Sequence, residues 1–363
     1  MAWYTDGLLP HLSRAGEWFL RSGIQAADGG VARYYRPDLG CNHAVSTEIT
    51  GYAASTFVYL HSVTGDARYL QRATSAANFL ARTAWDAASQ AMPFELEAPA
   101  FTYFFDCGIV ARGLLAVWRA AGVDEFLDAA VAVGRSMQRD FAAENGEFHP
   151  ILSLPDKRPL EREAGRWSRW PGCYQLKSAM AWWELFEATG DTAFRTAYVH
   201  VLERSLQTSG DFLPGHPDRR KVVDRLHAFL YFLEGMLPCA GEPRCAAALS
   251  TGIERVADLS RQIAAEFERS DVYAQLLRLR LGADRAGAAP LDHRAAQHEA
   301  DRLADFQISA NEDGTNGGFY FGCTGASWLP HVNPVSTAFA LQALECWNQY
   351  LRNEPQPHPC LLI

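Results

Sequence analysis

Four residues of this chain have the types and neighbourhoods that acid/base chemistry needs: Glu48, Asp106, Asp224 and His227. Glu48 lies among Ile49, Gly51 and Tyr52 on the apolar stripe of a helix. A carboxyl there is partly desolvated, which raises its pKa and suits a general acid. The plainer role for Glu48 is to complete a capping arrangement behind Val45 or Ser46. Asp106 stands at the start of a helix, either as a cap or as a second working carboxylate. Asp224 and His227 are three positions apart on one helical face, where they can share a ligand, bond each other, or form a buried structural pair. Hydrolysis of a glycosidic bond requires two facing carboxyl groups, roughly 5–5.5 Å apart for retention or about 6.5–9.5 Å for inversion. The expected pair comes from Glu48, Asp106 and Asp224, with His227 orienting the substrate.

Candidate binding residues cluster in the same irregular stretches. The first supplies Arg33, Tyr34, Tyr35, His43 and, one turn into the next helix, Tyr52; the second supplies Tyr103. The third supplies Arg166, Trp167, Arg169, Trp170 and Tyr174, a fourth contains His216, and the last supplies Tyr320, Trp328, His331 and Asn333. Flat rings suit the apolar faces of sugars, although core packing competes for them. The two guanidinium forks of Arg166 and Arg169 can grip a carboxylate. A uronate-directed lyase or C5-epimerase would use them so, with Tyr or His moving the proton. Acidic residues are equally frequent in these stretches, which leaves a neutral glycan open. Cys41, Cys107, Cys173 and Cys323, with His43, His227 and His331, form an alternative zinc set. Their spacing is dispersed and small buried cysteines are common in helical cores, so no metal and no cofactor are expected.

The elements that position these residues are helices. Apolar spacing of three and four predicts about twelve of them, the first over roughly 7–24. The turn Thr64-Gly65-Asp66 recurs as Thr189-Gly190-Asp191 and, degenerately, as Ala121-Gly122-Val123-Asp124, with Gly241 and Gly282 as later counterparts. Glycine supplies the left-handed helix end and Asp caps the next helix. The remaining linkers are long: 25–44, 85–104, 144–172, 209–222 and 309–335. Short and long linkers alternate, so in an up-down array the long ones share one face, and helix N-termini with their partial positive charge open onto it. The segment 263–308 has a mixed pattern and is the hardest to read.

Two long linkers are twins. Gly29-Gly30 leads to Val45-Ser46-Thr47, and Gly317-Gly318 leads to Val335-Ser336-Thr337, each opening a helix. Such a repeat at opposite ends of a chain is how a closed ring of helical hairpins is built. A ring of this kind uses residues 1–352 as one domain and leaves 353–363 as a frayed tail.

Composition narrows the function classes. The chain has 363 residues, 48% hydrophobic and 21% charged, as expected of a globular protein with a large core. A net charge of −9 without a basic stripe argues against nucleic acid. No apolar run reaches the length of a membrane span and the N-terminus lacks the form of a signal peptide, so a cytoplasmic protein is expected. Eight cysteines without a C-x-x-C pair read as reduced thiols, and Cys360-Leu361-Leu362-Ile363 reads as tail rather than as a prenylation box.

The alternation of linkers resembles the α/α toroids, most closely the six-hairpin barrel found in many glycosidases, several polysaccharide lyases and sugar epimerases. Asp224-Arg225-Leu226-His227 leading to Phe232-Leu233-Glu234-Gly235 is similar to helices of glucuronyl C5-epimerase-like proteins. The resemblance implies an all-α (α/α)6 toroid that takes an oligosaccharide or polysaccharide at its long-linker mouth. A glycoside hydrolase is the leading expectation, a lyase or C5-epimerase the alternative, and a non-catalytic glycan-binding toroid the third. An isoprenoid enzyme on this architecture would carry D-x-D-D or D-D-x-x-D, and neither occurs.

Overall fold

The computed structural model describes residues 10–97, 99–163, 165–213, 219–354 and 362–363. Twelve α-helices fill most of them: α1 (Pro10–Arg21), α2 (Thr47–Thr64), α3 (Ala67–Asn78), α4 (Phe104–Ala121), α5 (Asp124–Asp140), α6 (Gln175–Thr189), α7 (Thr192–Phe212), α8 (Arg219–Gly235), α9 (Pro243–Ile263), α10 (Ser270–Arg285), α11 (His293–Asp305) and α12 (Pro334–Leu351). The strands are two or three residues long: β1 (Val31–Ala32), β2 (Tyr35–Arg36), β3 (Cys41–Asn42), β4 (Val45–Ser46), β5 (Phe101–Tyr103), β6 (Ile151–Ser153), β7 (Glu268–Arg269), β8 (Gly322–Thr324) and β9 (Ser327–Trp328). The chain forms two compact units, one of Ala26–Val31 with Ala44–Pro214, the other of Met1–Gln25, Ala32–His43 and Gly215–Ile363.

In the first unit α2, α4 and α6 lie side by side, and α3, α5 and α7 each pack back on the helix before them. The sequence dictates this division. α4 is apolar on every side and buries all but a few of its residues, whereas α3 and α5 are amphipathic and bury one stripe. Glycines let the buried helices touch backbone to backbone: a Cβ on Gly113 would stand 2.5 Å from the Gly51 carbonyl oxygen. The expected turns are present, with Gly65, Gly122 and Gly190 left-handed at φ 70°, 68° and 74°. Asp66 and Asp191 then accept from the backbone N–H of Arg68 and Ala193, both at 2.9 Å, which satisfies donors that a helix start leaves open.

In the second unit α10 lies between α8 and α12, α9 and α11 pack outside them, and α1 packs on α12. Gly282 is not a turn: it lies inside α10, and the chain turns instead at Gly287, φ 67°, before Asp292 caps α11. The charges that blur the pattern of α10 are buried and paired. Arg278 bonds Glu234, and Arg280 bonds Glu299 at 2.9 and 3.1 Å and Glu254 at 2.8 Å. Removing one partner of such a pair costs about 3–5 kcal/mol, because the other charge stays buried. The first helix is shorter than expected and ends at Arg21, just before Gly23 at φ 72°. Residues 355–361 of the expected tail lie outside the described residues. Ile363 is buried, its N–H bonding Gln342 at 3.1 Å and its carbonyl accepting from Arg278 at 3.2 Å, while Cys360 lies outside the described residues.

The twin linkers are one motif, but in a different register from that implied by the shared Val-Ser-Thr. The Val31 N–H bonds the Thr50 hydroxyl at 2.9 Å, and the Phe319 N–H bonds the Thr337 hydroxyl at 3.0 Å. Each threonine follows an N-cap by four positions, Ser46 in α2 and Asn333 in α12. Ser46 therefore matches Asn333, and Val45 matches Val332. A capping Asn followed by Pro starts α12 earlier, so Val335-Ser336-Thr337 already lies in its first turn.

Candidate active site

A densely bonded polar cluster lies in the second unit around β7, β8 and β9, where β7 pairs Glu268 with Cys323 and Arg269 with Gly322. Arg269 reaches across to α8 and its Nη1 donates to His227 Nδ1 at 2.9 Å. Its Nε and Nη2 donate to both oxygens of Asp271 at 2.9 and 2.5 Å, and the guanidinium lies 4.5 Å over the Phe321 ring. A guanidinium only donates, so Nδ1 accepts and the proton of the neutral imidazole is on Nε2. Burial, and then the Arg269 charge, hold the His227 pKa well below its ordinary value. Asp224, one turn earlier on α8, is exposed, and the Nδ1 bond of His227 goes to Arg269 rather than to it.

The other strand residue, Glu268, accepts from Arg302 at 3.0 and 2.6 Å and from the Tyr273 hydroxyl at 2.5 Å. Above this pair stands Trp328, 41% exposed, stacked on Tyr320 at 5.3 Å with 13° between planes and set edge-on to Phe306 at 5.1 Å. His331 follows β9. Its ring packs against Tyr34 at 4.8 Å, and Tyr34 packs against His43 at 4.7 Å. Burial, and then Arg36, lower the His331 pKa, and among the described residues its ring makes no side-chain hydrogen bond. Arg33 is half-buried beside Tyr34 in sequence. Tyr35 is turned to packing: its backbone pairs with Val332, and a Cβ on Gly314 would meet its ring at 2.8 Å. Asn333 uses its Oδ1 as the α12 cap, accepting from Val335 and Ser336 at 2.8 and 3.2 Å.

In the first unit Glu48 is half-buried in the opening turn of α2, which Ser46 caps by accepting from Ile49 at 3.3 Å. Asp106 is buried in the opening turn of α4, but it is not the cap, a position that falls to Tyr103. A cavity of about 270 Å³ at the start of α2 is lined by Asp28, Val45, Thr47, Phe79, Phe94 and Glu95. Tyr52 is buried on α2, and the Tyr103 ring meets Phe94 at 5.2 Å. Tyr174 is core: its hydroxyl donates to the Trp170 carbonyl at 3.1 Å, Trp167 sits edge-on to it at 4.9 Å, and burial pushes its pKa up. Trp170 is exposed at 41% with Arg162 over its ring at 5.0 Å, Arg166 pairs with Glu163 at 3.0 Å, and Arg169 is half-buried. His216 lies outside the described residues.

The cysteine set does not gather. Cys107 and Cys173 are buried, Cys41 is exposed, and Cys323 sits 3.7 Å from Glu268. Among the described residues no three of His, Cys, Asp and Glu come together as metal ligands. Glu268, Arg269 and Asp271 belong to a stretch outside the five long linkers, and Arg302 comes from α11. A sixth mouth-side linker must precede α10, and Glu268-Arg269-Ser270-Asp271 is where it ends.

No protein-family model and no curated protein matches the chain. Solved structures do. A sugar epimerase from a ruminal bacterium is 13% identical, with a TM-score of 0.71 over 96% of this chain and 98% of its own. A D-mannose isomerase is 10% identical, with a TM-score of 0.69 over 94% and 96%. The cellobiose 2-epimerase of Spirochaeta thermophila DSM 6192 is 13% identical, with a TM-score of 0.67 over 92% and 94%. The fold shared with these structures is the all-α (α/α)6 toroid of helical hairpins.

Proposed function

We propose that the protein is a carbohydrate-active enzyme that moves a proton at a carbon beside the carbonyl of a reducing sugar, with His227 and His331 as its working imidazoles. The observation that carries this reading is the Arg269 bond to His227 Nδ1; in the same unit the ring of His331 makes no side-chain hydrogen bond among the described residues. Both rings are biased toward neutrality, the state in which an imidazole can take a proton or donate a hydrogen bond near pH 7. Sugar epimerases and a mannose isomerase among the similar folds support the same class. Trp328, propped by Tyr320 and Phe306, offers a flat apolar face for a sugar ring. Asp224, being exposed, is a poor partner for a desolvated carboxylate pair.

Hydrolysis is the second reading, and the observation that favours it is Asp106, buried in the opening turn of α4 with Glu48 half-buried in that of α2. One experiment separates the two. Mannose, glucose and cellobiose are incubated with the protein in deuterium oxide and followed by proton NMR. Proton transfer replaces a carbon-bound hydrogen by deuterium, whereas hydrolysis shortens cellobiose and leaves carbon-bound hydrogens in place. Cleavage without exchange overturns the proposal. No described helix is long and apolar enough to cross a membrane, and action in the cytoplasm belongs to the proposal.

A further inference from the structure

We infer that the second unit holds a seat for a peptide main chain, built by Arg278 of α10 and Gln342 of α12 and occupied by the chain's own Ile363, and that the seated residue ties the two helices together. Arg278 lies in the middle of α10 with its side chain 2% exposed. A guanidinium so deeply buried must find acceptors for its N–H groups within the protein. Nη2 is taken by Glu234 of α8. Nη1 donates to Gln342 Oε1 at 2.9 Å and to the Ile363 carbonyl at 3.2 Å, and the guanidinium lies 4.0 Å from the centre of the Phe339 ring. The same Gln342 oxygen accepts from the Ile363 N–H at 3.1 Å. Both main-chain groups of Ile363 are therefore bonded, one to each helix, and its side chain is buried among them.

An empty seat would cost the core at two points. Gln342 Oε1 would lose a donor and Arg278 Nη1 an acceptor, and neither has a ready substitute. Glu234, already bonded to Nη2 and accepting from Gln275 Nε2 at 3.2 Å, is 0% exposed, and among the described residues Arg278 Nε has no partner to share. A buried group that loses its partner keeps its desolvation penalty, so α10 and α12 would have to part and admit water at this level. The two bonds read main chain and no side-chain identity. Selectivity comes from the buried side chain at 363, where an apolar residue of about isoleucine's size fits and a charged one would stand unpaired.

The test is amide hydrogen exchange on the full chain, read by NMR at Ile363 and by mass spectrometry elsewhere. In the wild-type protein the Ile363 amide should exchange at least about 10²-fold more slowly than in an unstructured peptide. Ile363→Asp, and deletion of Leu362 with Ile363, should speed exchange about tenfold or more in the fragments containing Arg278 and Gln342, whereas Ile363→Val should leave both near the wild-type rate. An Ile363 amide that exchanges at the unstructured rate overturns the seat, and that measurement needs no variant to fold. Unchanged exchange around Arg278 and Gln342 after the deletion overturns the tie between the helices.

Discussion

At the scale of residues, two imidazoles with different surroundings make different predictions. His331 is half-buried and among the described residues makes no side-chain hydrogen bond, so His331→Gln should leave the fold intact. If it is the base, turnover should drop by about 10²–10⁴-fold, which is roughly 3–5 kcal/mol of lost transition-state stabilisation. A packing role alone would move the melting temperature and leave turnover nearly unchanged. The depressed His227 predicts a pH dependence of stability. Between its lowered native pKa and the ordinary 6.5, the unfolded chain binds more protons than the native one. Stability from this group is therefore complete above about pH 6.5 and is lost as the pH falls. Denaturant midpoints from pH 7 to 5 should decline less steeply in His227→Gln than in wild type. A turnover assay on cellobiose reads Asp106: Asp106→Asn that turns over normally removes hydrolysis by that carboxylate, and a loss of about 10²–10⁴-fold would restore it.

Elements explain what was legible and what was not. The two Thr-Gly-Asp turns announced two hairpins, because a left-handed glycine followed by a capping aspartate has few other uses, and Gly122 marks a third in which Asp124 opens α5 without capping it. The buried helices were legible as all-round apolar runs, and α4 is the clearest. α10 was not, because Asp271, Arg278 and Arg280 are charged residues inside a core, and sequence alone does not reveal their partners on other helices. That loss concealed Arg269 and Asp271, and with them the reason for the state of His227. The twin linkers share Val-Ser-Thr, but those letters align them three residues away from the register that the helix caps Ser46 and Asn333 fix. The bonds from Val31 to Thr50 and from Phe319 to Thr337 test the corrected register. Each of Thr50→Val and Thr337→Val leaves a buried N–H without its acceptor, so urea unfolding should show a loss of about 1–3 kcal/mol. Ser336→Ala, at a position the corrected register does not pair with Thr50, should cost clearly less.

At the scale of the whole molecule, the fold is an α/α toroid, and a fold alone does not choose a reaction. Structures at 10–13% identity match nearly the full chain, so the hairpin plan is shared at low sequence identity. The choice of chemistry comes back to the side chains that β7, β8 and β9 assemble against α8. The most direct measurement is hydrogen–deuterium exchange at sugar carbon, followed by proton NMR with mannose, glucose and cellobiose and repeated with His331→Gln. The account predicts solvent deuterium entering carbon beside the carbonyl of at least one sugar with the wild-type protein, about 10²–10⁴-fold more slowly with the variant. Cellobiose cleaved to glucose with every carbon-bound hydrogen retained, at equal rates in both proteins, would contradict it.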